Sequence, residues 1–382
     1  MNTVEKLKIL GAGARYDACS CYPPQYFKAD NDRIGESIGC AITHSATPDG
    51  KPVSLFKVLY TNSCIFDCKY CANRRSNNKE TAIFEKEELA KTFMSLYVRN
   101  YVEGLFLSSG IIKDSDYTAE LMLGAVSLLR NKYKFKGYIH TKILPGTSEC
   151  LIKQIAECAD RISINLEAPN NSRMKQLSSN KDYKIDILRR QRWMRSLNVS
   201  AGRSTQFVIG AADENDEEIL DMANWEYKNM RLQKAYYSAF NPVQNTPLET
   251  HDKTPLTREV KLYRADFLIR SYKYDLKEIK SIMANGMLPE GDPKLNIALA
   301  SMDSPIDLNR ASYSELLKVP GIGHRSSQRI MELQRNHVKI ENFEQLRNIG
   351  IVLKRARNFI KMKGYQTRLT QFREMKNVQI QH

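Results

Sequence analysis

Short apolar runs alternate with amphipathic stretches between residues 53 and 274 of this 382-residue chain. Each apolar run is short enough for a strand, and each following stretch has the periodicity of a helix. The predicted strands are Val53–Tyr60, Gly104–Ser108, Gly137–Ile143, Arg161–Leu166, Thr205–Ile209 and Ala235–Phe240. Six β-then-α units in a row predict a parallel sheet with right-handed crossovers.

Six units are too few for a closed eight-unit barrel and predict a partial barrel or a doubly wound sheet. In both architectures the chemistry lies at the carboxyl ends of the strands. The flanking segments do not follow the alternation. We predict an irregular N-terminal extension, a barrel domain, a Pro- and Gly-rich linker, a helical domain and a polar tail, at residues 1–50, 51–284, 285–305, 306–363 and 364–382.

Composition places the chain among folded proteins of a reducing compartment. Apolar residues make up 42% of the sequence, which allows a sizeable core. No window approaches the ~18 apolar residues of a membrane helix, and the first residues lack the apolar core of a secretory signal. We therefore expect a cytoplasmic protein, in which the eight cysteines are metal ligands or buried thiols.

The formal charge of +15 is concentrated near the C-terminus. Residues 301–382 contain 15 Lys and Arg against 7 Asp and Glu, whereas residues 1–300 contain 43 against 36. About half of the excess thus lies in the last fifth of the chain. Such a surplus predicts a polyanionic partner, nucleic acid first, although a simple basic surface would give the same count.

Three cysteines, Cys64, Cys68 and Cys71, follow the first predicted strand in the sequence CIFDCKYC. On a loop, this spacing lets three thiolates converge, and thiolates select zinc, copper(I) or iron–sulfur clusters. Zinc prefers four ligands, and the nearest histidine, His44, lies twenty residues upstream. Three ligands would leave one iron of a 4Fe–4S cluster open, which is useful in a catalytic site.

This region resembles the radical S-adenosylmethionine (SAM) enzymes, whose hallmark is CxxxCxxC with an aromatic residue before the last cysteine. The resemblance implies an α/β fold, a partial (β/α)6 TIM-like barrel, with a 4Fe–4S cluster held by the three cysteines and SAM chelated at the open iron. An electron from the cluster would then cleave SAM to methionine and a 5′-deoxyadenosyl radical. A zinc knuckle is the alternative.

The resemblance also implies SAM-binding positions at the strand ends. Tyr70 would lie against the adenine, and the stretch LFLSSG would hold the amino group, although it departs from the commoner Gly-Gly-Glu. Glu167, or less favourably Asn165, would bind the ribose; the alternative is a buried acid paired with a lysine such as Lys142. Gly210 would either approach the adenine or simply turn the chain. The candidates in LFLSSG are Ser108, Ser109 and Gly110.

The other five cysteines are ambiguous. Cys19, Cys21 and Cys40 could form an auxiliary metal site in the N-terminal extension. Cys150 and Cys158 fall on the third predicted helix and are expected to be core residues. One of the five could instead donate a hydrogen atom to a substrate radical. No catalytic residue of the chain is assigned.

Residues 319–325, VPGIGHR, lie between two amphipathic segments and predict a helix, a tight turn and a second helix. Glycines at such a turn leave room for a phosphate, and amides at the start of the next helix can donate to it. The stretch LRNIGIVLKRARNFI repeats the shape further on. The candidate nucleic-acid-binding residues are Gly321, Gly323, His324, Arg325, Arg329, Gly350, Lys354 and Arg355.

This tail resembles the tandem helix-hairpin-helix module, a small all-α domain that binds DNA through backbone phosphates. A purely structural or protein-binding module is the alternative. Nearly the whole chain resembles radical SAM proteins assigned to DNA modification or repair, including the stretches KVLYTNSCIFDCKYCANRRSN, GYIHTKILPG and DRISINLEAPN. That resemblance implies an electron donor such as flavodoxin or ferredoxin and a uracil-DNA-glycosylase-like partner. An enzyme acting on RNA or tRNA, and a non-catalytic iron–sulfur DNA-binding protein, remain open.

Overall fold

The structure, a computed structural model, describes residues 1–17, 41–46 and 52–362. The chain divides into a first unit, Met1–Glu259, and a second unit, Val260–His382. In the described ranges, no helix is long and apolar enough to cross a membrane. The boundaries predicted for the domains remain predictions.

In the described part of the first unit, seven strands form one sheet in which the strands follow one another in chain order. The first strand pairs antiparallel with the second, and the remaining pairs are parallel. The sheet curls into a half-barrel, so the predicted partial barrel is confirmed, and an order without reversal excludes a doubly wound sheet. The strands are β1 (Ile42–Ala46), β2 (Pro52–Leu59), β3 (Gly104–Ser108), β4 (Tyr138–Lys142), β5 (Arg161–Ser163), β6 (Arg203–Ile209) and β7 (Lys234–Ala239).

Helices connect the parallel strands and cover the convex face of the sheet. Alternate strand residues face them: the Phe56 ring of β2 packs against Phe93, with centroids 6.2 Å apart. Two segments are π-helical, Tyr183–Leu188 and Glu226–Met230. The α-helices that begin in this unit are α1 (Thr3–Ala14), α2 (Lys86–Val98), α3 (Ser115–Asn131), α4 (Glu149–Cys158), α5 (Asn171–Leu177), α6 (Arg189–Arg195), α7 (Asp216–Trp225) and α8 (Leu256–Arg270).

Strand β5 is shorter than predicted because, after Ser163, hydrogen bonds to a side chain replace the backbone hydrogen bonds between strands. The Thr205 hydroxyl accepts the Leu166 N–H at 3.0 Å and donates to the Ile164 carbonyl oxygen at 2.8 Å. The chain rejoins the sheet only at Glu167, which forms an isolated bridge with Phe207. This detour places Glu167 at the carboxyl end of the sheet.

The N-terminal extension is not irregular where the structure describes it, so that part of the prediction is wrong. Asn2 and Glu5 form a capping box that starts α1, and α1 packs against β2. The strand β1 adds an antiparallel edge to β2. Its sequence, ITHSA, is too short and too polar to predict as a strand.

The described part of the second unit is mostly helical, with a two-residue parallel pair of strands, β8 (Ile306–Asp307) and β9 (Ile360–Lys361). Sixteen buried residues form its core. Its remaining helices are α9 (Leu276–Lys280), α10 (Pro293–Ser301), α11 (Tyr313–Lys318), α12 (His324–Arg335), α13 (Phe343–Ile349) and α14 (Leu353–Ala356), followed by a 3₁₀ turn at Arg357–Phe359.

The predicted linker at residues 285–305 contains α10, so the structure corrects that prediction. Asp292 caps the helix and Pro293 occupies its first turn, where proline is tolerated. Ala298 and Leu299 belong to the core of the second unit. The high proportion of Pro and Gly around one short apolar stretch concealed this helix.

Candidate active site and nucleic-acid interface

The loop that carries the three cysteines begins at the carboxyl end of β2. The Ile65 N–H donates to the Ile111 carbonyl oxygen at 2.7 Å, and the Gly110 N–H donates to the Thr61 carbonyl oxygen at 2.7 Å. These bonds tie the cysteine loop to the segment that follows β3. The loop therefore lies at the carboxyl end of the half-barrel, where the chemistry was expected.

The cysteines are free thiols at different depths: Cys68 is 6% exposed, whereas Cys64 and Cys71 are half-buried. Burial, with the neighbouring Cys68, raises the pKa of Cys71 to about 12. Burial also raises the pKa of Cys68, although the Lys181 charge opposes the shift. Burial therefore opposes ionisation of both thiols, and a metal must displace a proton wherever it binds one of them.

The three sulfur atoms do not converge on one point. Among the described residues, no three Cys, His, Asp or Glu side chains are arranged to hold a single metal ion. In a cubane cluster each thiolate binds a different iron, so its ligands surround a volume rather than one position. A zinc knuckle needs four ligands around one ion.

The donor set and the surrounding backbone fit a cluster. The sulfur of Cys64 accepts the Phe66 N–H at 3.5 Å, and the sulfur of Cys71 accepts the Asn73 N–H at 3.3 Å. Such donors stabilise negative charge on sulfur. Glycine at position 110 lets the segment after β3 lie against the cysteine loop, because a Cβ there would lie 2.2 Å from the Ser63 carbonyl oxygen.

Lys181 is a residue of this site that sequence analysis did not identify. It is 9% exposed, and its ammonium lies 3.5 Å from the Tyr70 hydroxyl and 3.6 Å from a Glu167 carboxylate oxygen. Burial lowers the pKa of Lys181, but Cys68 and Glu167 outweigh that effect and raise it. The lysine therefore joins a cluster cysteine to two of the predicted SAM-binding side chains.

Glu167 has a strained backbone. Its φ is +63°, and the Ala168 N–H donates to the Leu166 carbonyl oxygen at 2.7 Å, which makes Glu167 the centre of a tight γ-turn. Strain of this kind concentrates at functional sites. The Asn165 amide donates to the Glu167 carboxylate at 3.4 Å. The two candidates for the ribose thus lie together, with Glu167 as the carboxylate.

Lys142, the lysine considered as a partner of Glu167, pairs with Asp17 instead. The lysine that pairs with Glu167 is Lys181, which lies only fourteen residues further along the chain. Ser108 is 5% exposed, and together with Lys142 it lowers the pKa of Asp17. Asp17 is the second residue of this region that sequence reasoning missed.

The two remaining SAM-binding candidates interact mainly with their own surroundings. The Ser109 hydroxyl donates to the Gly110 carbonyl oxygen at 2.6 Å. Gly210 has a φ of +84°, its N–H donates to Glu214, and a Cβ there would lie 2.1 Å from the Thr254 hydroxyl. Turning the chain accounts for this glycine, and contact with adenine stays a prediction.

Cys19, Cys21 and Cys40 lie outside the described residues, as does the predicted tail at 364–382. Cys150 is exposed on α4, so its expected place in the core is wrong. Cys158 is half-buried at the end of the same helix, where its sulfur lies 3.7 Å from the Ser127 hydroxyl.

In the second unit, the two hairpins pack directly on each other. The Val352 N–H donates to the Gly321 carbonyl oxygen at 3.0 Å, and the Ser326 hydroxyl donates to the Gly350 carbonyl oxygen at 3.0 Å. Gly321 has a φ of +83°, and a Cβ there would lie 2.6 Å from the Val352 carbonyl oxygen. Gly323 is the N-cap of α12. The glycines therefore shape both turns and their contact.

Two of the predicted phosphate-binding side chains, His324 and Arg329, hold the hairpins through contacts within this unit. The His324 ring nitrogens lie 3.0 Å from the Ser271 hydroxyl and 2.8 Å from the Tyr313 hydroxyl. Arg329 donates to the Ile349 carbonyl oxygen at 2.9 Å. These contacts give His324 and Arg329 roles in holding the hairpins.

Arg355 also has a partner, because it pairs with Asp292 at 3.0 Å. By contrast, Arg325 and Lys354 are exposed, and neither has an ion-pair partner in the part of the chain that the structure describes. They are the side chains of the two hairpins best placed for a phosphate.

Comparison with known proteins agrees with this geometry. Residues 58–225 match the family model of the radical SAM superfamily, so this part of the chain is similar to a radical SAM domain. Residues 302–378 match the helix-hairpin-helix motif. Members of the radical SAM superfamily use a 4Fe–4S cluster and SAM, which are the cofactors that the cysteine motif implied. No curated protein has significant sequence similarity to the chain.

Solved structures show weaker similarity. HydG, a maturase of the [FeFe]-hydrogenase, has a TM-score of 0.47 and 13% identity over 56% of this chain and 48% of its own. HydG from Carboxydothermus hydrogenoformans has a TM-score of 0.46 and 14% identity over 56% and 50%. Methylornithine synthase (PylB) has a TM-score of 0.43 and 13% identity over 68% and 66%. The chain thus spans about half the length of HydG.

Replacing Gly110 by alanine is expected to displace the cysteine loop, because the new Cβ would lie 3.3 Å from the Cys64 Cβ and far closer to the Ser63 carbonyl. We expect a loss of about 1–3 kcal/mol in unfolding free energy and reduced iron incorporation. Gly124→Ala, inside α3, is the control, since its Cβ meets only the flexible Lys86 chain. Melting curves and iron content check both variants, and equal iron in Gly110→Ala would contradict the close-approach argument.

Proposed function

We propose that this protein is a radical SAM enzyme that modifies or repairs DNA. The observation that carries the proposal is the presence, in one chain, of the cysteine loop at the carboxyl end of β2 and of a hairpin pair with exposed Arg325 and Lys354. The first feature supplies radical chemistry. The second supplies positive charge and free helix amides, which suit a phosphate backbone.

The residues of the first unit would bind the cofactors as follows. The three cysteines would hold the cluster, Glu167 would accept the ribose hydroxyls of SAM, and Tyr70 would lie beside its adenine. Lys181 adds a buried ammonium that suits the SAM carboxylate. When bound, the cluster and SAM together supply a radical that removes a hydrogen atom from the substrate, so the protein needs no Ser-His-Asp set or paired acids.

A buried radical cannot reach a base inside a duplex. The target nucleotide would therefore be extruded from the stack or presented as a single strand. The one-electron donor would be an external protein such as flavodoxin or ferredoxin. A partner resembling uracil-DNA glycosylases would fit a base or lesion substrate.

Replacing Arg325 and Lys354 together by glutamine is expected to weaken duplex DNA binding and to lower the slope of log K against log salt by about 2. The matched control is Arg335→Gln with Lys339→Gln, which removes two exposed charges of the same unit outside the two glycine-containing turns. Fluorescence anisotropy over a salt series measures both proteins. An unchanged slope in the hairpin variant would contradict the interface.

The same titration distinguishes the substrate classes. Duplex DNA, single-stranded DNA and tRNA are compared at fixed salt, because phosphate contacts alone do not separate DNA from RNA. We expect DNA to bind more tightly than tRNA. Preference for tRNA would shift the proposal to an RNA-modifying enzyme.

A further inference from the structure

The concave face of the half-barrel is positively charged. Lys57 of β2 is aligned with Phe106, which is aligned with His140, and His140 is aligned with Arg161 of β5. Side chains aligned in this way lie on one face, opposite the helix-facing Phe56. Lys142 lies two residues beyond His140 and so shares this face. Three permanent or near-permanent cations thus line the interior.

The two lysines are deeply buried, with Lys57 6% and Lys142 8% exposed. Lys57 lies over the Phe106 ring, with its ammonium 5.8 Å from the centroid, and makes no hydrogen bond or ion pair with the described residues. His140 does not add charge, because burial lowers its pKa well below the usual range. Arg161 is engaged by the Ala201 carbonyl and the Tyr236 hydroxyl.

Asp17 brings a carboxylate to these lysines from the N-terminal segment. Helix α1 packs closely on β2, since a Cβ on Gly13 would lie 2.7 Å from a Leu59 methyl carbon. Just beyond this helix, the Tyr16 carbonyl oxygen accepts the Gln206 amide at 2.9 Å. Asp17 then pairs with Lys142.

The charges favour an ionised Asp17. Burial raises the pKa of Asp17, but Lys142 and Lys57 outweigh that effect and lower it below the usual value. One carboxylate nevertheless leaves two buried ammonium groups only partly neutralised, and a buried charge without a full partner is costly. A group with two negative charges would neutralise both lysines.

We propose that Lys57 and Lys142 form a binding subsite for a phosphate group of the substrate, and that Asp17 occupies this subsite until the phosphate displaces it. The carboxylate of Asp17 thus stands where a phosphate oxygen would bind. In the proposed function this phosphate belongs to the target nucleotide, and only that assignment rests on the proposed function.

The test measures phosphate binding directly, by isothermal titration of the full chain with inorganic phosphate and with deoxycytidine 5′-monophosphate. All proteins carry Arg325→Gln and Lys354→Gln, so that the hairpins do not contribute. We expect Asp17→Asn to tighten binding of both probes at least about tenfold, since a competing charged partner is removed. Lys142→Gln is expected to weaken binding by a similar factor, and deoxycytidine without phosphate should not bind.

Lys57→Gln is the second variant, because Lys57 has no ion pair to lose and the variant should fold. We expect it to bind the monophosphate about tenfold more weakly than its parent. Unchanged affinity in folded Asp17→Asn or in Lys57→Gln would overturn the subsite. Comparing the mononucleotide with an oligonucleotide shows whether the phosphate comes from a free nucleotide or from a strand.

This result is independent of the hairpin titration. If the Arg325→Gln, Lys354→Gln protein binds DNA normally while Lys57→Gln and Lys142→Gln weaken phosphate binding, the phosphate subsite is supported and the DNA interface is contradicted. If the hairpin variant binds DNA more weakly but the lysine variants keep their affinity for phosphate, the subsite is contradicted and the proposed function is supported.

Discussion

Cys68→Ala is expected to reduce SAM cleavage to the protein-free background. Cys68 is the most buried of the three cysteines, and Lys181 approaches its sulfur from the barrel. Without Cys68, two thiolates remain for the cluster. Production of 5′-deoxyadenosine from SAM and a chemical reductant, measured by chromatography without oxygen, gives the result.

Cys150→Ala is the matched control, because Cys150 is an exposed cysteine on α4 of the same unit. It should cleave SAM at the wild-type rate. Full activity in Cys68→Ala would remove the cluster assignment. If Cys64→Ala retained its fold and its DNA binding but lost SAM cleavage, the alternative of a purely structural cluster would fail.

Glu226→Gln is expected to remove a large pH dependence of stability. Glu226 is fully buried at the start of the second π-helical segment, and neither carboxylate oxygen has a hydrogen-bond partner among the described residues. Burial raises its pKa from 4.5 to about 8. The Tyr183 hydroxyl nearby is also buried without a partner in those residues.

The direction of the pH dependence follows from the difference in bound protons between the folded and the unfolded chain. Between pH 4.5 and about 8 the folded protein keeps a proton that the unfolded chain has released, so stability falls as pH rises and levels off above about 8. The total change is on the order of 3–5 kcal/mol. Glu226→Gln cannot ionise, so its unfolding free energy should stay flat over this range apart from other groups.

Urea unfolding at pH 6 and at pH 8.5 tests this prediction. The wild type should lose about 2–3 kcal/mol between the two values, and Glu226→Gln should lose much less. Glu120→Gln, on the exposed side of α3, should keep the wild-type slope. The same pH slope in wild type and Glu226→Gln would show that Glu226 is not the group responsible.

The sequence was most informative where the signal is local. Short apolar runs, each followed by a stretch with helical periodicity, located six parallel strands within a few residues. The motif CIFDCKYC predicts the cluster ligands because the three cysteines share one loop. The hairpin turns were recognisable because glycine is needed at a left-handed position such as Gly321.

The sequence was least informative where partners are far apart in the chain. Lys142 and Asp17 are separated by 125 residues, and Lys181 and Tyr70 by 111. A lysine at either position has no local pattern that marks it as buried, since its environment comes from other strands. The same reason explains why His324 and Arg329 looked like free phosphate ligands but contact protein groups.

The measurement that tests the central claim most directly is spectroscopy of protein purified without oxygen and reconstituted with iron and sulfide. We predict about four iron and four sulfide per chain, and an electron paramagnetic resonance signal of the reduced cluster that changes when SAM is added. Bound zinc in place of iron, or a cluster signal that SAM leaves unchanged, would contradict the account.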